Sequence, residues 1–275
     1  MTEQVWINGS LVAAAEATIS VFDHGLTVGD GVFETLKAVD GRPFATRRHL
    51  ARLRRSADGL GLRIRCADDE LRLAMAEVLA SHQLPLARVR VTVTGGAAPL
   101  GSERGESTAT VLVAAAPLVA RPGSTAVCVL PWPRNELGAL VGIKTTSYAE
   151  NVKALAYATA RGCSEAIFAN TADLLCEGTG SNVFAVVGGR LLTPPLSSGC
   201  LAGVTRDLVL EVTEAEEADI PMGAFAMATE VFLTSTGRDV QPVHQVDDRP
   251  VAVDGPATRA AARAFAALVA TTDDP

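Results

Sequence analysis

A chain of 275 residues is long enough for one large domain or two smaller ones. Hydrophobic residues make up 48% of it and the mean hydropathy is +0.24, but alanine supplies much of the excess. No unbroken apolar run approaches the ~20 residues of a spanning helix, and a net charge of −7 disfavours nucleic acid and anionic membranes as partners. The start, Met1-Thr2-Glu3-Gln4, has neither a basic n-region nor an apolar h-region. The five cysteines (Cys66, Cys128, Cys163, Cys176, Cys200) form no C-x-x-C pair and are odd in number. We read reduced thiols and expect a cytoplasmic protein. The four histidines have no metal-ligand spacing, so no metal site is expected.

In chain order, Val5-Trp6-Ile7, the turn Asn8-Gly9 and Ser10-Leu11-Val12 predict a hairpin. Residues 17–21 read as a β stretch. The glycine-rich Asp23 to Gly31 leads into a strand over 32–39 and a turn at Asp40-Gly41. Leu50, Leu53, Ala57 and Leu60 carry helical spacing, and a second amphipathic helix is expected over 68–80. Strands follow at 89–94 and 109–115, separated by a loop at Gly101–Gly105. The stretch 117–124, with Arg121-Pro122-Gly123, reads as a linker.

A strand is expected at 126–130 and a helix over 147–161 with Val152, Leu155 and Ala156 inward and Gly162 as its stop. Strands are expected at 166–169, 183–187, 190–193, 231–234 and 240–243, and helices at 203–214 and 256–269. The acid run Glu211 to Asp219 reads as a solvated helix end and loop.

Four features point to chemistry. Lysine is scarce, limited to Lys37, Lys144 and Lys153. Lys144 follows Val141-Gly142-Ile143 and precedes a helix, where burial would lower its pKa and suit it to bond a carbonyl. Glu177-Gly178-Thr179-Gly180-Ser181-Asn182 places a carboxylate at a strand end before a small-residue loop. Gly203-Val204-Thr205 opens a helix whose free N–H groups can face a phosphate. Thr234-Ser235-Thr236-Gly237 offers hydroxyls for a second phosphate contact.

Lys144, Glu177-Gly178-x-x-Ser181-Asn182 and Leu201-x-Gly203-x-Thr205-Arg206-Asp207, in that order, resemble the class IV aminotransferases, pyridoxal-phosphate enzymes of fold type IV. Gly29-Asp30-Gly31-Val32-Phe33-Glu34 and His49-Leu50-x-Arg52-Leu53 match too, so the resemblance covers nearly the whole chain. It implies a mixed α/β fold: a smaller N-terminal α/β domain at 1–116, the linker, and a larger C-terminal α/β pseudo-barrel at 125–275. The cofactor is expected between them. The resemblance makes Lys144 the Schiff-base lysine and Arg52 a phosphate ligand. It sets Glu177 at the pyridine nitrogen, Tyr148 near the phenolic oxygen, and Val204, Thr205 and Thr236 at the phosphate. Ser181, Asn182 and Ser235 join the cofactor set, while Phe33, Thr35 and Arg104 fall on the substrate side. A homodimer is implied, with the Leu100–Arg104 loop reaching toward the partner.

Within the family, D-amino acid aminotransferases carry an Arg-x-His pair where this chain has Leu100 and Ser102, and a tyrosine where it has Phe33. Branched-chain enzymes carry an arginine where Lys37 stands. The lyases resemble the chain loosely at Phe33 and Thr35, though Glu34 looks more like a transaminase. The expectation is 4-amino-4-deoxychorismate lyase, forming 4-aminobenzoate and pyruvate. The alternatives are a D-amino acid or branched-chain transaminase, or a catalytically silent homologue that binds the cofactor.

Overall fold

The computed structural model describes residues 3–275. The chain forms two compact units. The first holds the residues up to Val119 together with Ile143–Tyr148 and Asp273–Pro275. The second holds Ala120–Gly142 and Ala149–Thr272. The boundary falls inside the expected linker. The segment bearing Lys144 nevertheless belongs to the first unit, not to the C-terminal domain expected from sequence.

The first unit begins with the hairpin β1 (Gln4–Ile7) and β2 (Ser10–Ala13). Its turn residues, Asn8 and Gly9, both have positive φ, 48° and 97°, as a tight primed turn requires. Then come α1 (His24–Thr27), β3 (Gly31–Val39), β4 (Arg42–Pro43), α2 (Thr46–Leu60), α3 (Asp68–His82), β5 (Leu86–Thr94) and β6 (Thr110–Pro117). The sheet order is β2-β1-β6-β5-β3-β4, antiparallel throughout. Side chains alternate across the pleat. Val32, Leu36, Val89, Val91, Val93 and Val113 face a core shared with Leu50 and Leu53 of α2 and Leu71, Met75 and Val78 of α3. The alternate set on the other face includes Phe33, Thr35, Lys37, Arg88 and Arg90. Residues 17–21 form no strand: among the described residues no ladder partner pairs with them, and Val21 is 70% exposed.

The second unit holds β7 (Thr125–Val129), α4 (Ala149–Thr159), β8 (Glu165–Ala169), β9 (Leu175–Gly178), β10 (Asn182–Val187), β11 (Arg190–Thr193), α5 (Val204–Val212), β12 (Glu216–Glu217), α6 (Met222–Phe225), β13 (Glu230–Ser235), β14 (Asp239–Val246), β15 (Arg249–Pro250) and α7 (Pro256–Thr271). The sheet runs β12-β11-β10-β13-β14-β7-β8-β9, with β15 beside β14. Five strand spacings separate β10 from β9, roughly 24 Å in a flat sheet. Residues 179–181 alone join these strands, a reach of roughly 14 Å. The sheet therefore curls on itself, as a pseudo-barrel does.

Helix α4 turns inward a different stripe from the expected one. Asn151, Ala154 and Ala158 are buried, while Val152 and Leu155 are exposed. Small side chains let the helix approach β8 closely, and Asn151 goes in because it has buried partners. The acid run is also more ordered than expected. Glu216 and Glu217 form the edge strand β12 and pair with Arg190 and Arg206.

Candidate active site

Lys144 lies in an extended segment docked on the free edge of β3, not in a strand of its own. Phe33 N–H donates to Lys144 O (3.0 Å), and Thr146 N–H to Gly31 O (2.8 Å). Thr145 Oγ1 donates to Gly31 O, while Thr146 Oγ1 and Ser147 Oγ donate to Gly29 O. This approach accounts for Gly29-Asp30-Gly31. A Cβ on Gly29 would stand 2.8 Å from Ser147 Oγ, and one on Gly31 2.8 Å from Thr146 Oγ1. On its other side the segment meets α2. Lys144 N–H donates to Ser56 Oγ (3.1 Å), and Ile143 lies against Gly59. Arg52, Ser56 and Gly59 follow i, i+4, i+7 spacing and so share one helix face.

Arg52, on that face, is oriented by Glu34. Its Nε and Nη2 donate to the two Glu34 oxygens at 2.7 and 2.8 Å, and His49 Nδ1 lies 2.7 Å from Oε2. Glu34 has no exposed surface. Burial opposes its charge, but Arg52 and then His49 outweigh that and hold its carboxyl well below the usual range. Burial in turn pulls His49 down, against the pull of Glu34.

Phe33 is the hub on the other face of the sheet, buried among its neighbours. Lys144 Nζ lies 4.4 Å from its ring centroid and Arg90 Cζ 3.7 Å. Tyr148 meets it edge-on at 5.5 Å. Thr35 is the next residue on the same face and pairs in register with Arg90. Sequence reasoning missed Arg90. The alternation in 86–94 hinted that it faces away from the core, but only the strand register sets it beside Phe33. Arg104 does not join this group. Its guanidinium is bidentate on Asp30 (2.6 and 2.6 Å) and donates to the Leu60 and Gly61 carbonyls. These acceptors turn the Arg104 donors toward Asp30 and the end of α2 and away from Phe33.

In the second unit, Leu201 joins two of the sequence motifs. Its N–H donates to Glu177 Oε2 (2.9 Å), and its carbonyl accepts from Asn182 Nδ2 (2.8 Å). Glu177 Oε1 accepts from Arg134 Nη1 at 2.9 Å. Arg134 stacks over Phe168 and reaches Asn151 Oδ1, whose Nδ2 donates to Thr179 O. Arg134 and Asn151 were not singled out from sequence, since nothing near them in the chain marks them. Thr179 Oγ1 and Gly180 N–H both donate to buried Glu165, which Arg238 pairs at 2.7 Å. The small residues are required here too: a Cβ on Gly203 would collide with Asn182 Oδ1, and one on Gly178 with Ser181 Oγ. Val204 and Thr205 open α5 with no capping side chain. Ser235 ends β13 and Thr236 begins the turn after it, both half-buried.

A phosphorylated carbonyl cofactor fits these groups. The N–H groups at the start of α5 have no side-chain cap, and Ser181 Oγ and Thr234 Oγ1 are buried without a hydrogen-bond partner. A carboxylate held on both oxygens suits a ring nitrogen. These groups of the second unit suit pyridoxal phosphate.

Comparison with known proteins agrees. The family model of amino-transferase class IV matches residues 31–246. The chain is 34% identical to a Methanocaldococcus jannaschii protein assigned as a branched-chain-amino-acid aminotransferase, over 90% of this chain and 89% of that one. It is 30% identical to a D-alanine aminotransferase of Staphylococcus epidermidis, over 90% of each. A branched-chain aminotransferase from Thermoproteus uzoniensis superposes with a TM-score of 0.91 at 29% identity, covering 98% of this chain and 95% of that one. The chain belongs to the class IV aminotransferases, and its cofactor is pyridoxal 5′-phosphate.

Proposed function

We propose that the protein is a transaminase that moves the amino group of an apolar amino acid, branched-chain L-amino acids first, to 2-oxoglutarate. The observation that carries this reading is the Phe33 ring, with Lys144 Nζ and Arg90 at 4.4 and 3.7 Å. It offers an apolar floor beside the amine, with a cation to receive a carboxylate. Lys144 is the covalent attachment point. Once displaced, its Nζ takes the proton from the substrate carbon that bears the amine and returns it on the other side of the reaction. Glu177 would keep the proton on the ring nitrogen, with Arg134 and Leu201 N–H fixing its angle. In the second unit the start of α5, Ser181, Ser235 and Thr236 would receive the phosphate; in the first, Arg52 is held by Glu34 in an orientation that would suit a phosphate oxygen. Asn182 holds the Leu201 loop in place, and Tyr148 would meet the phenolic oxygen. Pyridoxal phosphate supplies the electron sink that makes the substrate proton removable.

The lyase reading gives way to this one. Its structural relative, an assigned 4-amino-4-deoxychorismate lyase of Legionella pneumophila, is 23% identical, so that likeness concerns the fold. Glu34 is built into the Arg52 cluster, which fits the transaminase pattern it resembled in sequence. A D-amino acid transaminase is the second reading, favoured by the staphylococcal relative.

One assay separates these readings: L-leucine, L-valine and D-alanine each with 2-oxoglutarate, then 4-amino-4-deoxychorismate alone. We expect the highest kcat/KM with a branched-chain L-amino acid. Faster conversion of 4-amino-4-deoxychorismate to pyruvate would overturn the proposal. Lys144→Ala should abolish every one of these activities. Lys153→Ala should not, since that exposed amine lies 5.1 Å from the Trp132 ring. Borohydride reduction and peptide mapping should label Lys144.

A further inference from the structure

We propose that Arg104 is a positioning residue for Lys144, a brace that locks together the two surfaces on which the Lys144 segment rests. The inference rests on Lys144 as the cofactor lysine. One surface is Gly29-Asp30-Gly31, whose Gly29 and Gly31 carbonyls accept from Thr145, Thr146 and Ser147. The other is the last two turns of α2, where Ser56 takes the Lys144 N–H and Gly59 meets Ile143. No strand pairing joins these two surfaces: Asp30 lies just before β3 and Leu60-Gly61 at the end of α2.

Arg104 grips both. Nε and Nη2 bond the two oxygens of Asp30, and Nη2 and Nη1 donate to Leu60 O (2.7 Å) and Gly61 O (2.8 Å). Those carbonyls end a helix in which Gly61 turns left-handed at φ 70°. A cation there meets the negative end of the helix dipole and carbonyls that lack helical partners. Asp30 is held in its turn: its N–H donates to His24 O, and Gly95 N–H donates to its carbonyl. A Cβ on Gly95 would collide with its side chain. The planar fork of arginine matches this set of acceptors, and an ammonium cannot reach all of them.

The test is amide hydrogen exchange on the cofactor-loaded enzyme, with steady-state kinetics beside it. Arg104→Ala should speed exchange at the Lys144, Thr146 and Phe33 amides by roughly tenfold or more. It should also lower kcat by roughly tenfold, with KM for both substrates nearly unchanged. Asp30→Asn should do the same more weakly, and Arg104→Lys should recover part of the loss. Arg54→Ala removes another arginine of α2, one paired with Asp68, and should leave those amides protected. Faster exchange confined to residues 101–107 would overturn the brace. So would a large rise in KM with kcat intact, which marks a substrate contact. Failure of the Lys144 assignment shows separately, as a borohydride label on another lysine.

Discussion

Glu34 carries a full charge with no exposed surface because Arg52 and His49 surround it. Its carboxyl lies far below the ordinary value of 4.5. Near 4.5 the unfolded chain takes up a proton that the folded chain refuses. The contribution of Glu34 is thus fully present above that pH and is lost as the pH falls toward the folded value. Glu34→Gln should destabilise the protein by about 3–5 kcal/mol at pH 7, as breaking a buried pair does. The deficit should shrink at pH 3.5, and urea unfolding at the two values checks it. At Arg90 the expected effect is on substrate, not stability. Arg90→Ala should raise KM for the amino donor by roughly ten- to a hundredfold, the loss of one charge-assisted contact of ~1.5–3 kcal/mol. Glu177→Gln should lower kcat far more than cofactor affinity, because glutamine can meet the ring nitrogen but supplies no charge to hold its proton. Equilibrium dialysis against pyridoxal phosphate, run beside kinetics, distinguishes the two effects.

Among the elements, the loop before α5 is the most constrained. Leu201 ties it to Glu177 and Asn182, and Gly203 passes so close to Asn182 that no Cβ fits. Gly203→Ala should therefore push the start of α5 away from Asn182 and weaken cofactor binding, read as faster loss of the cofactor's visible absorbance on dialysis. Unchanged retention would show that the loop can move without cost. Helix α4 teaches the complementary lesson. Its largest apolar residues face outward and its buried stripe is Asn151, Ala154 and Ala158. Hydrophobic spacing alone reverses that helix, because it cannot anticipate that Arg134 and the Thr179 carbonyl draw an asparagine inside.

At the scale of the molecule, four of the five thiols are buried. Burial pushes Cys128 up to about 12 and Cys200 up to about 11. In native protein at pH 8 a thiol reagent should modify no more than Cys66 quickly, and all five after denaturation. Ile19, Val21, Phe22, Leu26 and Val28 are exposed beside Leu100, the two segments held by Ala98 N–H on Phe22 O. Apolar patches of this kind suit an interaction surface, and we propose that two copies of the chain pair through this one as a homodimer. Light scattering should find a dimer for the wild type, and the double variant Phe22→Asp, Leu26→Asp should shift it toward monomer.

The sequence by itself determined the local pieces. The Asn8-Gly9 hairpin, the α2 and α3 stripes and the glycine-flanked motifs follow from turn chemistry and periodicity, both short-range. Resemblance carried the cofactor and the roles proposed for Lys144 and Glu177, because their motifs keep a distinctive order along the chain. Only the tertiary structure decided which unit holds Lys144, since its segment pairs with an edge strand more than a hundred residues earlier. It also decided that Arg104 grips Asp30, that Arg134 supports Glu177, and that Arg90 stands over Phe33. Each of these depends on strand register or on a contact between distant residues, and neither leaves a periodic trace in the chain.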